Sequence, residues 1–233
     1  MQYPCPARPT GVNRHARTIC GSRFAGGDAC AGALAKQAVA LDALILSISG
    51  FFCGALPLAV ILGKIALRQD IRAVGDHNPG AFNVLRAGGM SWGALAIALE
   101  VTKGAFPVGL AAQVFRIDGV GLVACAVAPI LGHAYSPFLN FRGGKAIAVS
   151  LGTWIGLTIW TVPLVGVTML VIGSLTLTVS GWALMFAMTG VGVFLLLTGA
   201  RSELWIIFGL NLALFIVKHQ ADLAKPIALR WNR

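Results

Sequence analysis

Residues 146–200 form a run of 55 residues that contains no Asp, Glu, Lys or Arg. A membrane-spanning helix needs only about 20 apolar residues, so this run is long enough for more than one span. Over all 233 residues 11% are charged, whereas soluble domains are nearer to about 25%. Backbone groups in lipid must be satisfied internally, and the alternating pattern of a membrane barrel is absent. The sequence therefore predicts an all-α, polytopic integral membrane protein.

Seven apolar segments follow one another after residue 41, and they predict about seven transmembrane helices in a single domain that covers residues 39–233. The segments are 42–66, 92–114, 118–137, 146–161, 163–179, 182–199 and 203–217. Residues 1–38 differ, because they are rich in Gly, Ala, Pro and Cys and carry five basic residues without an apolar core. We expect this tail to be disordered or to follow from a mis-called start codon. A targeting signal is the alternative.

Basic residues are distributed unevenly over the two sides of these predicted spans. One side has only Arg116 and Arg201. The other side has ten: Lys64, Arg68, Arg72, Arg86, Arg142, Lys145, Lys218, Lys225, Arg230 and Arg233. Cytoplasmic loops carry the excess of Lys and Arg, so the ten-residue side is predicted to face the cytoplasm, with the N-terminus outside. The basic tail alone opposes this orientation. The net charge of +10 therefore indicates topology, and we expect no nucleic-acid partner.

The predicted loop after the first span, residues 68–86, combines glycines, arginines and two asparagines. Gly and Asn allow backbone N–H groups to turn towards an anion, and Arg binds phosphate through two hydrogen bonds. Asn78, Asn83 and Arg86 are therefore candidate phosphate-binding residues. A basic loop that lies against anionic lipid headgroups is the alternative explanation.

The loop after the third span ends in Gly143-Gly144-Lys145 and runs directly into the next apolar segment. Glycines allow the backbone to approach a phosphate, the start of a helix offers N–H groups, and Lys supplies charge. The spacing of a Walker A loop is missing, so the signal is weak by itself.

Two further polar groups lie in or beside predicted spans. Glu100 and Lys103 share one helical face inside the second span, and they are either a mutual structural pair or functional. His219 follows the last span and precedes Asp222 by one helical turn, which predicts a His–carboxylate couple. An interfacial histidine is the alternative. The five cysteines form no CxxC pair, so we expect neither a disulfide framework nor a metal site.

Together these motifs resemble the acyl-phosphate:glycerol-3-phosphate acyltransferase (PlsY) family of bacterial membrane enzymes over roughly residues 42–225. The stretches that carry the resemblance are Asp70-Ile-Arg, Gly75-x-x-Asn78-x-Gly-Ala-x-Asn83-Val-Leu-Arg86, Glu100-x-x-Lys103-Gly, Gly132-His133 with Phe141-Arg-Gly-Gly-Lys145, and Lys218-His219. The resemblance implies seven helices, an outside N-terminus and an active site on the cytoplasmic side of the inner membrane.

The resemblance also implies the chemistry. Such enzymes transfer a fatty acyl group from acyl phosphate to the 1-hydroxyl of glycerol 3-phosphate, giving lysophosphatidic acid for phospholipid synthesis. Their two substrates and the lipid bilayer are the implied partners, no cofactor or metal is implied, and we expect a monomer. Catalysis would come from positioning and charge neutralisation, with a substrate phosphate able to take the hydroxyl proton.

Several motif positions differ from the family pattern. The pattern commonly has Ser where this chain has Asp76, Gly at Ala146, Ser at Ala183 and Asn at Asp222. Two of these changes add carboxylates, which would repel a phosphate. The carboxylates are then paired with basic neighbours, or the substrate differs. A third option is that Asp76, or an Asp222–His219 couple, is a general base, which makes all three of these residues candidate catalytic groups.

Three other functions remain open at this point. The chain could be a diverged acyltransferase with another acceptor or donor, a non-catalytic lipid-binding homologue, or a small transporter. A transporter would show inverted repeats and broken helices near the midplane, and the sequence contains no internal repeat.

Overall fold

Helices make up most of residues 36–232, which are the residues that the computed structural model describes. The α-helices are α1 (36–55), α2 (Leu58–Ala66), α3 (Ala81–Gly109), α4 (Gly119–Ala134), α5 (Ile147–Thr158), α6 (Thr161–Thr176), α7 (Ser180–Leu197), α8 (Ser202–Lys218) and α9 (Gln220–Leu223). Residues 36–38 of the predicted tail begin α1, and the rest of that tail lies outside the described residues. The all-α prediction is confirmed.

Four helical stretches within the described residues are long and apolar enough to cross a membrane. They are Lys36–Ala66, Ala81–Val114, Gly119–Leu139 and Ser180–Leu197. α5 and α6 are apolar but shorter. Each predicted segment coincides with a helix or a pair of helices in the expected order, whereas the count of seven spans stays a prediction.

Two residues interrupt the first two long stretches. Pro57 lacks a backbone N–H, and it separates α1 from α2. Gly89 has φ 80° and kinks α3, so that residues 81–88 form a short helical arm before the longer part. The prediction that residues 81–86 belong to a loop was therefore wrong, whereas the longer part of α3 begins just after Gly89, near the predicted start of the second span at 92. Asn83 and Arg86 lie on this helical arm.

The helices approach each other most closely where glycines face a neighbouring backbone. A Cβ at Gly104 of α3 would overlap the carbonyl oxygen of Val149 in α5, and a Cβ at Gly152 of α5 would overlap that of Val101. Small residues allow such close backbone packing between helices in lipid. The α3–α5 contact therefore fixes the position at which α5 begins, next to the polar end described below.

The interior combines apolar packing with buried polar contacts between helices. From Asp42 onward the chain forms one compact unit. A core cluster unites side chains from α3 to α8: Val108, Ala126, Trp154, Val162, Val191, Leu195 and Ile207. Within it the Trp154 indole donates to Asn211 Oδ1 at 3.3 Å, and Asn211 Nδ2 donates to Ser150 Oγ at 2.9 Å. These bonds join α5 to α8 where water cannot compete for them.

Candidate active site

The charged residues of separate motifs meet in a cluster at one end of the helices, which we call the polar end. Lys145 precedes the first turn of α5, Asp76 lies in the loop before α3, and Asp222 lies in α9 just beyond α8. Lys145 Nζ is 3.1 Å from Asp76 Oδ2 and 3.2 Å from Asp222 Oδ2. One ammonium group thus joins three segments that are distant in sequence. The added carboxylates are paired, which was one of the options that the sequence left open.

Asp222 has two more donors around its carboxylate. Lys225 Nζ lies 3.0 Å from Asp222 Oδ1, and the Ser180 hydroxyl donates to Oδ2 at 3.3 Å. Burial by itself would raise the pKa of Asp222, but hydrogen bonds from Lys225 and Lys145 lower this pKa to about 2. The carboxylate is therefore ionised at neutral pH. Lys225 is a partner that the sequence analysis did not identify.

Asp76 and Lys145 also hold each other in their charged forms. Burial acts against the charge of both groups, but the hydrogen bond between them lowers the pKa of Asp76, and hydrogen bonds to Asp76 and Asp222 raise the pKa of Lys145. Arg86 Nη1 is 3.8 Å from Asp76 Oδ1, so it contributes a second positive charge nearby.

A chain of hydrogen bonds orients Arg86. Arg86 Nη1 donates to Asn83 Oδ1 at 3.1 Å, and Asn83 Nδ2 donates to the Asn78 carbonyl at 2.8 Å. Asn83 is buried, whereas the Arg86 side chain is 54% exposed. Gly75 has φ 63°, and a Cβ there would overlap the Arg86 guanidinium. Asn83 therefore positions the guanidinium by a buried contact, and Arg86 remains accessible to an anion.

His219 lies beside this cluster with unused hydrogen-bonding capacity. Its side chain is buried, and neither ring nitrogen has a hydrogen-bond partner among the described residues. Nδ1 is 3.7 Å from Asp222 Oδ2, which is longer than a hydrogen bond. Burial, followed by the charge of Lys145, lowers the pKa of His219, so the imidazole is neutral at pH 7. The predicted couple of His219 with Asp222 is adjacent but not hydrogen-bonded.

Gly143 and Gly144 pack against the end of α4. A Cβ at Gly143 would overlap the carbonyl oxygen of His133, and one at Gly144 would overlap the His133 ring. The Gly144 N–H donates to the His133 carbonyl at 3.1 Å. Their small size thus allows the segment before Lys145 to pack directly on α4. Phosphate binding by these two glycines stays a prediction.

Behind this contact, Glu100 and Lys103 of α3 form a buried ion pair. Lys103 Nζ is 2.7 Å from Glu100 Oε2, and His133 Nδ1 is 3.0 Å from the same oxygen. Lys103 also donates to the Leu56 carbonyl at 2.6 Å, at the break before Pro57. The pairing of Glu100 with Lys103 is confirmed, and a functional role for the pair stays a prediction. His133 is a third member that sequence spacing could not reveal.

Most of the predicted site residues are therefore neighbours. The structure brings together Asp76, Asn78, Asn83, Arg86, Lys145, His219 and Asp222. Their catalytic and binding roles stay predictions. Within the described residues no group of three or more His, Cys, Asp or Glu side chains is placed to hold a metal ion.

Comparison with known proteins places this arrangement in a family. The family model described as glycerol-3-phosphate acyltransferase matches residues 44–228. Glycerol-3-phosphate acyltransferase 1 of Thermotoga maritima is 41% identical over 117 residues, which are 49% of this chain and 57% of that protein. The glycerol-3-phosphate acyltransferase of Bordetella pertussis is 32% identical over 190 residues, which are 79% of this chain and 88% of that protein. Thus the chain spans less than two thirds of the Thermotoga relative and most of the Bordetella one.

Solved structures agree with this result. The crystal structure of PlsY, an integral membrane glycerol 3-phosphate acyltransferase, in its glycerol 3-phosphate form superimposes with a TM-score of 0.71 and 29% identity, covering 78% of this chain and 90% of that one. The lysophosphatidic acid form gives 0.69 and 28% over the same shares. The resemblance seen in the motifs is confirmed, and the protein is a multi-pass integral membrane protein. The chain belongs to the glycerol-3-phosphate acyltransferase family.

Proposed function

We propose that this protein transfers a fatty acyl group from acyl phosphate to the 1-hydroxyl of glycerol 3-phosphate, producing lysophosphatidic acid and phosphate for phospholipid synthesis. The observation that carries the proposal is the meeting of Arg86, Lys145 and His219 at one end of the helices. Each comes from a different motif. One guanidinium group and one ammonium group beside a neutral imidazole suit this reaction, because both substrates contain phosphate.

The proposed reaction depends on neutralising the negative charge of the substrate phosphates, and it uses no covalent nucleophile of the protein. The hydroxyl oxygen of the acceptor attacks the acyl carbonyl carbon, the bond from that carbon to the phosphate oxygen breaks, and the hydroxyl proton passes to phosphate. Lys145 and Arg86 would neutralise the phosphates as they approach, which holds the reacting groups together. His219 would donate its unpartnered ring N–H to a substrate oxygen, because a buried polar group without a partner is costly.

The acyl chain has a place beside this polar end. A groove of about 530 Å³ lies between α7 and α8, and it is lined mainly by apolar side chains such as Met188, Phe208 and Ile216. α7 begins at Ser180 and α8 ends at Lys218, so the groove starts close to Asp222. We infer that the donor enters from the lipid with its chain in this groove.

Orientation follows from the charge distribution. The cluster lies at the end where the loops carry the excess of Lys and Arg, so the active site is proposed to face the cytoplasm of a bacterial inner membrane. The proposed partners are acyl phosphate, glycerol 3-phosphate and the bilayer, with the protein acting as a monomer.

A direct transfer assay tests the proposal. The full-length chain, reconstituted in a lipid mesophase, receives palmitoyl phosphate and labelled glycerol 3-phosphate, and labelled lysophosphatidic acid is measured. We expect product with the parent chain, no product with Lys145→Ala, and unchanged product with Lys64→Ala. Lys64 is an exposed basic residue of α2 that makes no ion pair within the described part of the chain.

Two results would contradict parts of the proposal. Product formed from palmitoyl thioester but not from palmitoyl phosphate would refute the donor. Absence of labelled product from folded protein with either donor would refute the acceptor, and the next substrates would be uncharged polyols.

A further inference from the structure

The ammonium of Lys145 is paired with two carboxylates at once. Asp76, in the loop before α3, and Asp222, in α9, lie 3.1 and 3.2 Å from it. Ammonium groups bind a phosphate through the same hydrogens that they offer to these carboxylates. A phosphate group and the two carboxylates would therefore compete for one donor group.

The formal charges of the side chains around Lys145 show how strongly the carboxylates reduce the positive charge available to a phosphate. Arg86, Lys145 and Lys225 contribute three positive charges, and Asp76 and Asp222 contribute two negative charges, which leaves a net charge of +1. Without the two carboxylates the same cations would present +3. A phosphate monoester carries about −1.5 to −2 near pH 7, so the carboxylates oppose a doubly charged group and disfavour it most.

We propose that Asp76 and Asp222 are specificity-determining residues that compete with the phosphate of the acceptor for Lys145, and so weaken the binding of glycerol 3-phosphate relative to less anionic acceptors. This inference rests on the proposed function, because it concerns the acceptor site of that reaction. It goes further in assigning the two carboxylates a selective role instead of that of a general base.

The geometry makes Asp222 the stronger of the two competitors. Its side chain is 17% exposed, compared with 41% for Asp76, so water screens its charge less. Lys225 and Ser180 also hold its carboxylate in place. We therefore expect the Asp222 variant to show the larger effect on phosphate binding.

The test is a direct binding measurement that needs no turnover. Isothermal titration calorimetry of full-length protein in detergent gives the Kd for glycerol 3-phosphate and, separately, the binding of uncharged glycerol. We expect Asp222→Asn to lower the Kd for glycerol 3-phosphate about tenfold, which corresponds to about 1.4 kcal/mol. Asp76→Asn should lower it less, and neither variant should tighten glycerol binding. A melting curve for each variant confirms that it is folded.

Asp70→Asn is the matched control. It removes one negative charge from an exposed carboxylate that pairs with Arg72 at 2.6 Å and makes no ion pair with Lys145. The Kd should stay within about twofold of the parent value, since surface pairs contribute little. An equal fall in Kd for this control would show a general charge effect and overturn the inference.

Failure of the inference and failure of the proposed function are distinguishable. If transfer occurs but the Kd is unchanged or raised in both folded variants, the competition is refuted while the function stands. If the variants bind glycerol 3-phosphate more tightly but no form of the protein transfers an acyl group to it, the competition stands and the function is refuted.

Discussion

Replacing Glu100 by Gln should destabilise the protein severely, because it leaves the Lys103 ammonium buried without its counter-ion. Glu100 and Lys103 are only 1% and 3% exposed, and their charged atoms lie 2.7 Å apart. Removing one partner of a buried pair costs about 3–5 kcal/mol. Lys103 keeps its bond to the Leu56 carbonyl, so we expect the lower end of this range, about 3 kcal/mol.

Thermal unfolding of the full-length chain in detergent micelles measures the effect. For a domain of this size each kcal/mol lowers the melting temperature by about 2–4 °C, so Glu100→Gln should lose roughly 6–12 °C. The double variant Glu100→Gln/Lys103→Met removes both charges and should recover about 2 kcal/mol or more of that loss. Asp70→Asn, which breaks an exposed pair, should change stability by less than about 1 kcal/mol.

Two results would refute this reasoning. A loss of less than about 1 kcal/mol in Glu100→Gln would mean that the ammonium is not isolated from water. A double variant that is no more stable than Glu100→Gln would mean that Glu100 and Lys103 do not act as a pair.

Two further predictions concern the site. Gly144→Ala should lower the free energy of unfolding by about 1–3 kcal/mol, because the new methyl group overlaps the His133 ring, whereas Gly209→Ala, where a Cβ meets nothing within 4 Å, should not lower the melting temperature. The folded pKa of Asp222 is about 2, below the unfolded value of about 3.9, so its contribution to stability is present above about pH 4 and is lost as the pH falls towards 2. Over that range the melting temperature of the parent chain should fall more steeply than that of Asp222→Asn, and parallel curves would contradict the assignment.

Local patterns predicted the parts of the fold that depend on local physics. Apolar runs gave the order of the helices, and the spacing of Glu100 and Lys103 gave their pairing, because residues three apart share a helix face. Lys145 was expected directly before a helix, and α5 begins at Ile147. These features depend on residues that are close in sequence, so the sequence alone was enough to predict them.

The start of α3 was missed because residues 81–91 carry polar side chains and glycines. Hydropathy alone does not separate such a helical arm from a loop. Gly89 is where the two parts of the helix meet, and its positive φ is a conformation that Gly adopts easily. Glycine in an otherwise helical stretch was the signal that could have indicated a kinked helix.

The remaining contacts depend on tertiary packing. His133 reaches Glu100 from another helix. The position of Gly143 and Gly144 against α4 is equally non-local. Their spacing next to Lys145 suggested a phosphate turn, whereas the structure shows that close packing already requires both glycines. Lys225, in contrast, lies only three residues after Asp222, so sequence spacing could have indicated that pair.

The shortness of α5 has a consequence for the surrounding lipid. Its 12 residues rise only about 18 Å, compared with about 30 Å for a hydrocarbon core. With Lys145 at one headgroup layer, the turn at Ile159 and Trp160 would end in the acyl region, yet both side chains are exposed and the backbone is not helical there. Irregular backbone does not face hydrocarbon, so the opposite leaflet would have to dip inward to meet this turn. The protein would then lie in a thinned patch of membrane, and lipids with shorter chains should lower the cost of forming that patch.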